Sequence, residues 1–130
     1  MKRLIIDLDD TICQTQNGDY KNARPVYEII EKIREYKKLG FEIAINTSRN
    51  MRTYAGNTGK ITANTLPIIL DWLNKNNVPY DEIYIGKPWC GTEGFYVDDR
   101  AIRPSEFVNL EYKEIQSLLG PLVNHDQEKE

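Results

Sequence analysis

Histidine and cysteine are scarce in this sequence, and their scarcity excludes whole classes of site. The chain has one histidine and two cysteines among its 130 residues. His125 stands in a polar stretch, and Cys13 and Cys90 have neither the spacing of metal ligands nor the density of a disulfide scaffold. A zinc site built on histidine and cysteine is therefore excluded, and we expect any metal to be held by oxygen atoms.

Long apolar runs and excess positive charge are lacking as well. No apolar run approaches the ~20 residues that a membrane-spanning helix requires, and no signal-peptide core follows Met1. The net charge of -3 gives no general attraction for nucleic acid or for an anionic membrane. We therefore expect a globular protein of the reducing cytoplasm, with no nucleic acid and no membrane among its partners.

What the sequence does contain is an alternation of strand-like and helix-like segments. Strands are predicted at residues 4–6, 41–46, 82–85 and 95–97, and helices are predicted to begin at Pro25, after a loop that ends at Gly59, and near Glu111. The first strand is an unbroken apolar run, which predicts burial on both faces. This alternation predicts an open α/β sheet with parallel strands, whose active site lies beyond the carboxyl ends of the strands.

Polar residues cluster just past those predicted strand ends. Asp7 and Asp9 follow the first strand, Thr47, Ser48 and Arg49 follow the second, Lys87 follows the third, and Asp98 and Asp99 follow the fourth. Clustered carboxylates repel one another unless a cation neutralises them, and an all-oxygen cluster suits Mg²⁺. Lys87 and the Thr47 hydroxyl supply donors for phosphoryl oxygens, so the pattern predicts phosphoryl transfer.

The ordered pattern resembles the four motifs of the haloacid dehalogenase (HAD) superfamily. It consists of residues 7–11 (DLDDT), then Thr47, then Lys87, then Asp98 and Asp99. The resemblance implies a three-layer α/β/α sandwich of Rossmann type. It also implies that Asp7 is the nucleophile and a metal ligand. Asp9 is then the general acid and base, and it binds the metal through its backbone carbonyl.

The remaining roles also follow from this resemblance. Thr47, Ser48 and Lys87 bind the phosphoryl group, Asp98 binds Mg²⁺, and Asp99 reaches the metal directly or through water. An aspartate at position 9 is typical of phosphatases, whereas the ATPases and phosphonatases of the superfamily place threonine or alanine there. The resemblance therefore implies a Mg²⁺-dependent phosphatase with an aspartyl-phosphate intermediate.

Residues 46–54 and 86–91 resemble a narrower group, the short capsule polysaccharide biosynthesis phosphatases. This implies a small anionic phosphorylated substrate, such as a sugar phosphate or a related precursor. We predict one catalytic domain over residues 1–123 and a disordered polar tail over residues 124–130. No cap domain is expected, because only residues 12–24 separate the first motif from the first helix. That segment is predicted to form a small flap.

The loop after the second strand carries positive charge but no acid. No aspartate or glutamate occurs between Ile43 and Leu70. Arg49, Asn50 and Arg52 are therefore candidates for binding an anionic substrate, because arginine forks suit bidentate contacts, and Arg100 is a further candidate. An enzyme without a cap leaves its site open, and the small capless phosphatases that the chain resembles close theirs with a neighbouring subunit. We therefore expect a homo-oligomer.

Other interpretations stay open. The enzyme could be a nucleotide or polynucleotide phosphatase, although the chain lacks a broad basic surface. It could also be a regulatory protein that accepts a phosphoryl group and keeps it. At single positions, Thr47 could be a helix cap, the Asp98–Asp99 pair could open a turn, and Lys87 could be a surface lysine. Only eight residues separate Ile85 from Gly94, too few for a crossover helix, which leaves Lys87 less constrained than the aspartates.

Overall fold

The structure, a computed structural model, describes residues 1–121, which form two compact units. One unit is Met1–Phe95, the other begins at Tyr96, and each is described by itself. His125 and the predicted tail at residues 124–130 lie outside the described residues, and the single domain over residues 1–123 stays a prediction. Within residues 1–121, no helix has both the length and the apolar character needed to cross a membrane.

The first unit alternates strands and helices. In chain order its elements are β1 (Arg3–Asp7), β2 (Cys13–Gln14), a 3-10 helix (Tyr20–Asn22), β3 (Arg24–Pro25), α1 (Tyr27–Lys38), β4 (Glu42–Asn46), α2 (Thr58–Asn64), α3 (Leu66–Lys75) and β5 (Glu82–Tyr84). The second unit holds α4 (Pro104–Asn109) and α5 (Tyr112–Leu119).

The central sheet of the first unit is parallel, with strand order β1-β4-β5. Strand β4 lies in the middle, and its Ile43, Ala44 and Ile45 are fully buried. The predicted α/β fold with a parallel central sheet flanked by helices is confirmed. The prediction that β1 is buried on both faces is wrong. Among the described residues β1 pairs with β4 on one side only, and its Ile5 is 56% exposed.

Helix α1 packs its apolar face on the core through Ile29, Ile30 and Ile33. It begins at Tyr27 and not at Pro25, because Pro25 belongs to β3 and pairs with β2. The helix is followed by Gly40 at φ +94°, a left-handed conformation that favours glycine, so the predicted stop is confirmed.

Helix α3 buries Ile69, Trp72 and Leu73. One helix was predicted after Gly59, with Leu66 on its buried face, but the structure divides this stretch into α2 and α3. The start of α2 is stabilised by Asn57, whose side-chain oxygen accepts a hydrogen bond from the backbone amide of Lys60 at 3.1 Å.

The predicted flap, residues 12–24, contains β2, the 3-10 helix and the first residue of β3. Strands β2 and β3 pair in antiparallel fashion, with Gln14 opposite Arg24. The indole nitrogen of Trp72 in α3 donates a hydrogen bond of 2.8 Å to the carbonyl of Ala23, which ties the flap to the core. The segment between the first motif and α1 is therefore a short hairpin and not a domain.

The predicted strand at residues 95–97 is not formed. No strand includes these residues in the part of the chain that the structure describes, and the side chains of Phe95 and Val97 are 80% and 88% exposed. In the second unit, α5 begins where it was predicted, and the amide of Glu111 donates to the Glu114 carboxylate at 2.8 Å. Its apolar stripe is only partly buried, since Leu118 is 53% exposed.

Candidate active site

The carboxyl ends of the three parallel strands lie level with one another. Asp7 at the end of β1 pairs with Asn46 of β4, which pairs with Tyr84 of β5. The segments that follow stay together, because the amide of Thr47 donates to the Tyr84 carbonyl at 2.9 Å and the amide of Lys87 donates to the Thr47 carbonyl at 3.1 Å. Parallel pairing thus brings the residues after each strand to one edge of the sheet.

Asp7 and Lys87 meet at this edge. The Lys87 ammonium lies 3.6 Å from Oδ1 of Asp7, and the Thr11 hydroxyl donates to Oδ2 at 3.1 Å. Burial raises the pKa of the Asp7 carboxyl, and the charge of Lys87 opposes that rise. No helix separates β5 from Lys87, because the chain turns at Gly86, which has φ +83°. A Cβ added to Gly86 would lie 3.0 Å from Thr58 Cγ2, so this turn favours glycine.

A tight turn after β1 fixes both aspartates of the first motif. The carbonyl of Leu8 accepts hydrogen bonds from the amides of Thr11, Ile12 and Cys13 at 3.3, 2.9 and 3.2 Å. Leu8 and Ile12 are themselves buried, which anchors the turn in the core. Asp10 has φ +63°, a left-handed conformation that aspartate tolerates better than most residues.

Asp9 is held by Arg49. The Nε atom of Arg49 donates to Oδ2 of Asp9 at 3.1 Å, and Nη2 donates to Oδ1 at 2.8 Å. This is a bidentate pair with low exposure, 2% for the Arg49 side chain and 27% for that of Asp9. Arg49 therefore binds a residue of the first motif. The contact with an anionic substrate that the sequence suggested for Arg49 stays a prediction.

Three flap residues complete the surroundings of this pair. The Thr15 hydroxyl and the Cys13 thiol donate to Oδ1 of Asp9 at 3.4 and 3.6 Å. Burial raises the pKa of Cys13 to about 12, so the thiol stays protonated. The ring of Tyr20 lies 4.2 Å from the Arg49 guanidinium carbon. Sequence reasoning missed Tyr20, because nothing in the pattern of the flap marks one tyrosine as a contact of Arg49.

Thr47 is buried behind these groups. Its side-chain oxygen accepts a hydrogen bond from the Arg49 amide at 3.0 Å, and its hydroxyl proton remains available to another acceptor. Ser48 next to it is half-buried. The phosphate-binding roles of Thr47, Ser48 and Lys87 stay predictions, although all three follow strand ends at the same edge of the sheet.

The other loop candidates have structural contacts. Asn50 adopts φ +62° and its side-chain oxygen accepts from the Thr65 hydroxyl at 2.6 Å. The Arg52 guanidinium carbon lies 5.6 Å from the centre of the Trp89 ring. Trp89 is 44% exposed, so this cation–π pair lies at the protein surface.

Asp98, Asp99 and Arg100 belong to the second unit and are all exposed. Oδ1 of Asp98 accepts from the Arg100 amide at 2.8 Å, and the Arg100 side chain donates to the Gly120 carbonyl at 3.3 Å. Among residues 1–121, no group of three or more histidine, cysteine, aspartate or glutamate side chains is placed to hold a metal ion. The metal roles of Asp98 and Asp99 and the substrate role of Arg100 stay predictions.

Comparisons with known proteins bear on the fold. None of the family models matches the sequence, and none of the curated proteins is significantly similar to it. A chain of the Pnkp1/Rnl/Hen1 complex is 16% identical, with a TM-score of 0.50 over 84% of this chain and 34% of that chain. This likeness shows the fold alone, and at that level the predicted HAD-like α/β fold is confirmed.

A second distant structure is the D,D-heptose 1.7-bisphosphate phosphatase from B. bronchiseptica, solved with magnesium and phosphate. It is 16% identical over 73% of this chain and 54% of that chain, with a TM-score of 0.46. A TM-score this low does not establish a shared fold.

One solved structure is much more similar. It is the crystal structure of a structural-genomics target protein from Vibrio cholerae, 60% identical in sequence to this chain. The match covers 92% of this chain and 97% of that chain, with a TM-score of 0.90. The chain therefore belongs to the same family as this Vibrio cholerae protein.

Proposed function

We propose that the chain is a phosphomonoesterase that forms an aspartyl phosphate on Asp7. The observation that carries the proposal is the meeting of Asp7 and Lys87, 3.6 Å apart at the carboxyl edge of the sheet. A phosphoryl group that approaches a carboxylate nucleophile brings further negative charge, and a fixed ammonium beside that carboxylate offsets the repulsion. The position of Lys87 supports the proposal, because phosphoryl transfer to Asp7 requires a cation beside that carboxylate.

The reaction has two steps. In the first, a carboxylate oxygen of Asp7 attacks phosphorus, the bond from phosphorus to the leaving oxygen breaks, and protonated Asp9 gives its proton to that oxygen. In the second, Asp9 takes a proton from a water molecule, and the resulting hydroxide attacks the aspartyl phosphate. Inorganic phosphate then leaves, Asp7 is a carboxylate again, and Asp9 is protonated again.

The remaining residues of the edge bind the phosphoryl group in this proposal. Lys87 pairs with its oxygens, and the hydroxyls of Thr47 and Ser48 donate hydrogen bonds. Donors held rigidly before the reaction stabilise transition-state charge without the cost of reorganisation. Thr47 meets that condition, because its amide, carbonyl and side-chain oxygen are each hydrogen-bonded to neighbouring backbone.

The donor atoms near Asp7 fit Mg²⁺. They are oxygens, and the nearby Cys13 does not offer a thiolate because its pKa is raised to about 12. Mg²⁺ keeps water and substrate oxygens in its shell, so one or two protein carboxylates suffice. The Asp7 carboxylate and the Asp9 carbonyl would hold it, and the same role for Asp98 rests on the sequence motif alone. Bound Mg²⁺ would supply positive charge to the phosphoryl oxygens.

The substrate class that we propose is a phosphorylated sugar or a related precursor of a surface polysaccharide. Its support is the resemblance of residues 46–54 and 86–91 to capsule polysaccharide phosphatases, together with the contact between those two segments. Arg52 belongs to one and Trp89 to the other. An arginine beside an exposed tryptophan offers an anion-binding fork and an apolar surface to a substrate that carries both kinds of group.

The activity is tested with Asp7→Asn and a matched control. The variant should lose hydrolysis of a nitrophenyl phosphate and keep its fold, because a neutral amide is a poor nucleophile and a poor metal ligand. Asp10→Asn is the control: Asp10 lies in the same turn, is exposed and has no role in the reaction, and asparagine also tolerates its positive φ. EDTA should remove the activity and Mg²⁺ should restore it. Wild-type-like hydrolysis by Asp7→Asn would falsify the proposed mechanism.

A substrate panel separates the remaining alternatives. Purified protein with Mg²⁺ is assayed against sugar phosphates, mononucleotides and an oligonucleotide with a terminal phosphate. We expect the highest kcat/KM for a sugar phosphate. A preference for nucleotides would replace the sugar-phosphate proposal, and a long-lived aspartyl phosphate without turnover would identify a phospho-accepting regulator.

A further inference from the structure

We infer that Arg49 is a positioning residue for Asp9, and that Tyr20 from the flap holds Arg49 in place. The inference rests on the proposed phosphatase function, since it concerns the acid and base of that reaction. Its basis is the bidentate pair between Arg49 and Asp9, with donor–acceptor distances of 2.8 and 3.1 Å.

The geometry of this pair fixes the orientation of the plane of the Asp9 carboxylate. A single hydrogen bond would leave the carboxylate free to rotate, whereas two parallel bonds from one planar guanidinium define its orientation. Oδ1 of Asp9 also accepts from Thr15 and Cys13, whereas Oδ2 keeps a second lone-pair site, so Asp9 can still face a leaving oxygen or a water molecule through Oδ2. The pair thus sets the direction in which Asp9 can give or take a proton.

Arg49 is itself held in a single arrangement. Its side chain is 2% exposed, its backbone amide is bound by Thr47 Oγ1 at 3.0 Å, and the Tyr20 ring lies 4.2 Å from its guanidinium carbon. Tyr20 belongs to the 3-10 helix of the flap, and Thr47 follows β4. Asp9 is therefore oriented by one residue that the flap and the sheet edge hold together.

Stabilising the fold is not a sufficient account of Arg49. A buried ion pair adds little net stability, because desolvation of both charges offsets their attraction. The Nη1 atom of Arg49 is buried and has no hydrogen-bond partner among residues 1–121, and a buried donor without a partner is destabilising. Apolar side chains in place of both residues would avoid these penalties, so stability alone does not explain the pair.

The test is a double-mutant cycle on two esters, a nitrophenyl phosphate and an alkyl phosphate. Arg49→Lys keeps the positive charge and loses the planar fork. We expect kcat/KM for the alkyl ester to fall about 10- to 100-fold, because small misplacements of a catalytic group have effects of that size. The fall should be smaller for the nitrophenyl ester, whose leaving group needs little protonation. A partly unfolded sample lowers both values equally, so their ratio reports positioning and not stability.

The second arm asks whether Arg49 acts through Asp9. If it does, Arg49→Lys should cause no further loss in an Asp9→Asn background, since there is no acid left to position. Arg34→Lys is the control for the substitution itself. Arg34 binds the Asn77 carbonyl at 3.0 Å, away from the first motif, and the variant should leave the ester ratio unchanged. Tyr20→Leu should shift the ratio in the same direction as Arg49→Lys, roughly two- to fivefold.

Equal losses for both esters, or additive losses in the Asp9→Asn background, would overturn the inference and indicate that Arg49 binds substrate or supports the fold. These outcomes differ from failure of the proposed function. A wild-type protein that hydrolyses neither ester removes the phosphatase proposal itself, whereas an active wild type with an additive cycle removes only the role of Arg49.

Discussion

The charge state of Asp7 depends on its burial and on two neighbours that oppose the effect of burial. Burial raises the pKa of its carboxyl, and Lys87 and the Thr11 hydroxyl oppose the rise. The role of nucleophile that we propose for Asp7 requires an ionised carboxylate, so the surroundings that shield Asp7 from water also require a cation nearby. Lys87 supplies a positive charge beside Asp7, although it lies 80 residues further along the chain.

Replacement of Lys87 tests this dependence. Lys87→Met keeps the length and apolar stem of the side chain and removes the ammonium. We expect kcat/KM for a nitrophenyl phosphate to fall by about 10² to 10³, the range found when one preorganised charge donor is removed. Lys75→Met in the last turn of α3 is a matched control and should have wild-type activity. An unchanged kcat/KM in Lys87→Met would show that Lys87 is an ordinary surface lysine.

The bond between Arg49 and Asp9 shows what sequence reasoning cannot reach at the residue scale. The motif placed both residues near one sheet edge, since each follows a parallel strand. It gave no reason for them to bind each other, because the two are 40 residues apart and the orientation of each depends on a loop conformation. The positive charge of Arg49, in a loop without acidic residues, suggested a contact with an anionic substrate. In the structure Arg49 instead binds a carboxylate of the protein itself, that of Asp9.

At the scale of elements, periodicity predicted the parts whose apolar residues pack on a partner. Helix α1, strand β4 and helix α3 were found near their predicted places, because Ile33, Ile45 and Ile69 belong to buried faces. The single helix predicted after Gly59 is divided into α2 and α3, and α2 begins at Thr58, inside the predicted loop, because Asn57 caps its first turn. Residues 95–97 were predicted as a strand from composition, but a strand also needs a partner with free backbone groups.

Asp81 connects two of these elements. Its carboxylate accepts a hydrogen bond of 2.8 Å from the amide of Ile43 in β4 and two of 2.7 Å from the Lys37 ammonium of α1, just before β5 begins. The hydrogen bond from Lys37 is the largest cause of the lowered pKa of Asp81. A carboxyl with a lowered pKa in the folded state stabilises the fold above its unfolded pKa, and this contribution is lost as the pH falls through the folded value.

We therefore expect Asp81→Asn to destabilise the protein in a pH-dependent way. The free energy of unfolding at pH ~7 should fall by about 0.5–1 kcal/mol, a small value because the ion pair is partly exposed and screened by solvent. The difference from wild type should begin to shrink below pH ~4, the usual aspartate pKa, and should be lost as the pH falls through the lowered pKa of Asp81, where the wild-type carboxyl also becomes neutral. Urea unfolding of the wild type and the variant at both pH values measures this difference in the free energy of unfolding. Asp71→Asn, on the exposed face of α3, is the control. An equal difference at both pH values would contradict the role of the charge.

At the scale of the whole molecule, the features that bear on how the candidate site is covered are the flap and the exposed apolar side chains. The flap is a short hairpin, and Trp72 ties it to the core through the Ala23 carbonyl, so it cannot extend far over a substrate. Large apolar side chains in the first unit remain in contact with solvent, among them Trp89 at 44% and Phe95 at 80% exposure. Where such side chains form one continuous patch, they are typical of protein–protein contacts.

A neighbouring copy of the chain would account for both features, and we expect the protein to be a homo-oligomer, with a tetramer as the first candidate. The partner would bury exposed apolar surface and wall the open site against bulk solvent. Light scattering after size exclusion, at the concentration used for the assay, gives the mass directly. Specific activity should then fall on dilution below the dissociation constant of the assembly, because an isolated copy has an open site. A monodisperse monomer with full activity would rule out closure by a neighbour and leave substrate selection to the flap and the loop that carries Arg52.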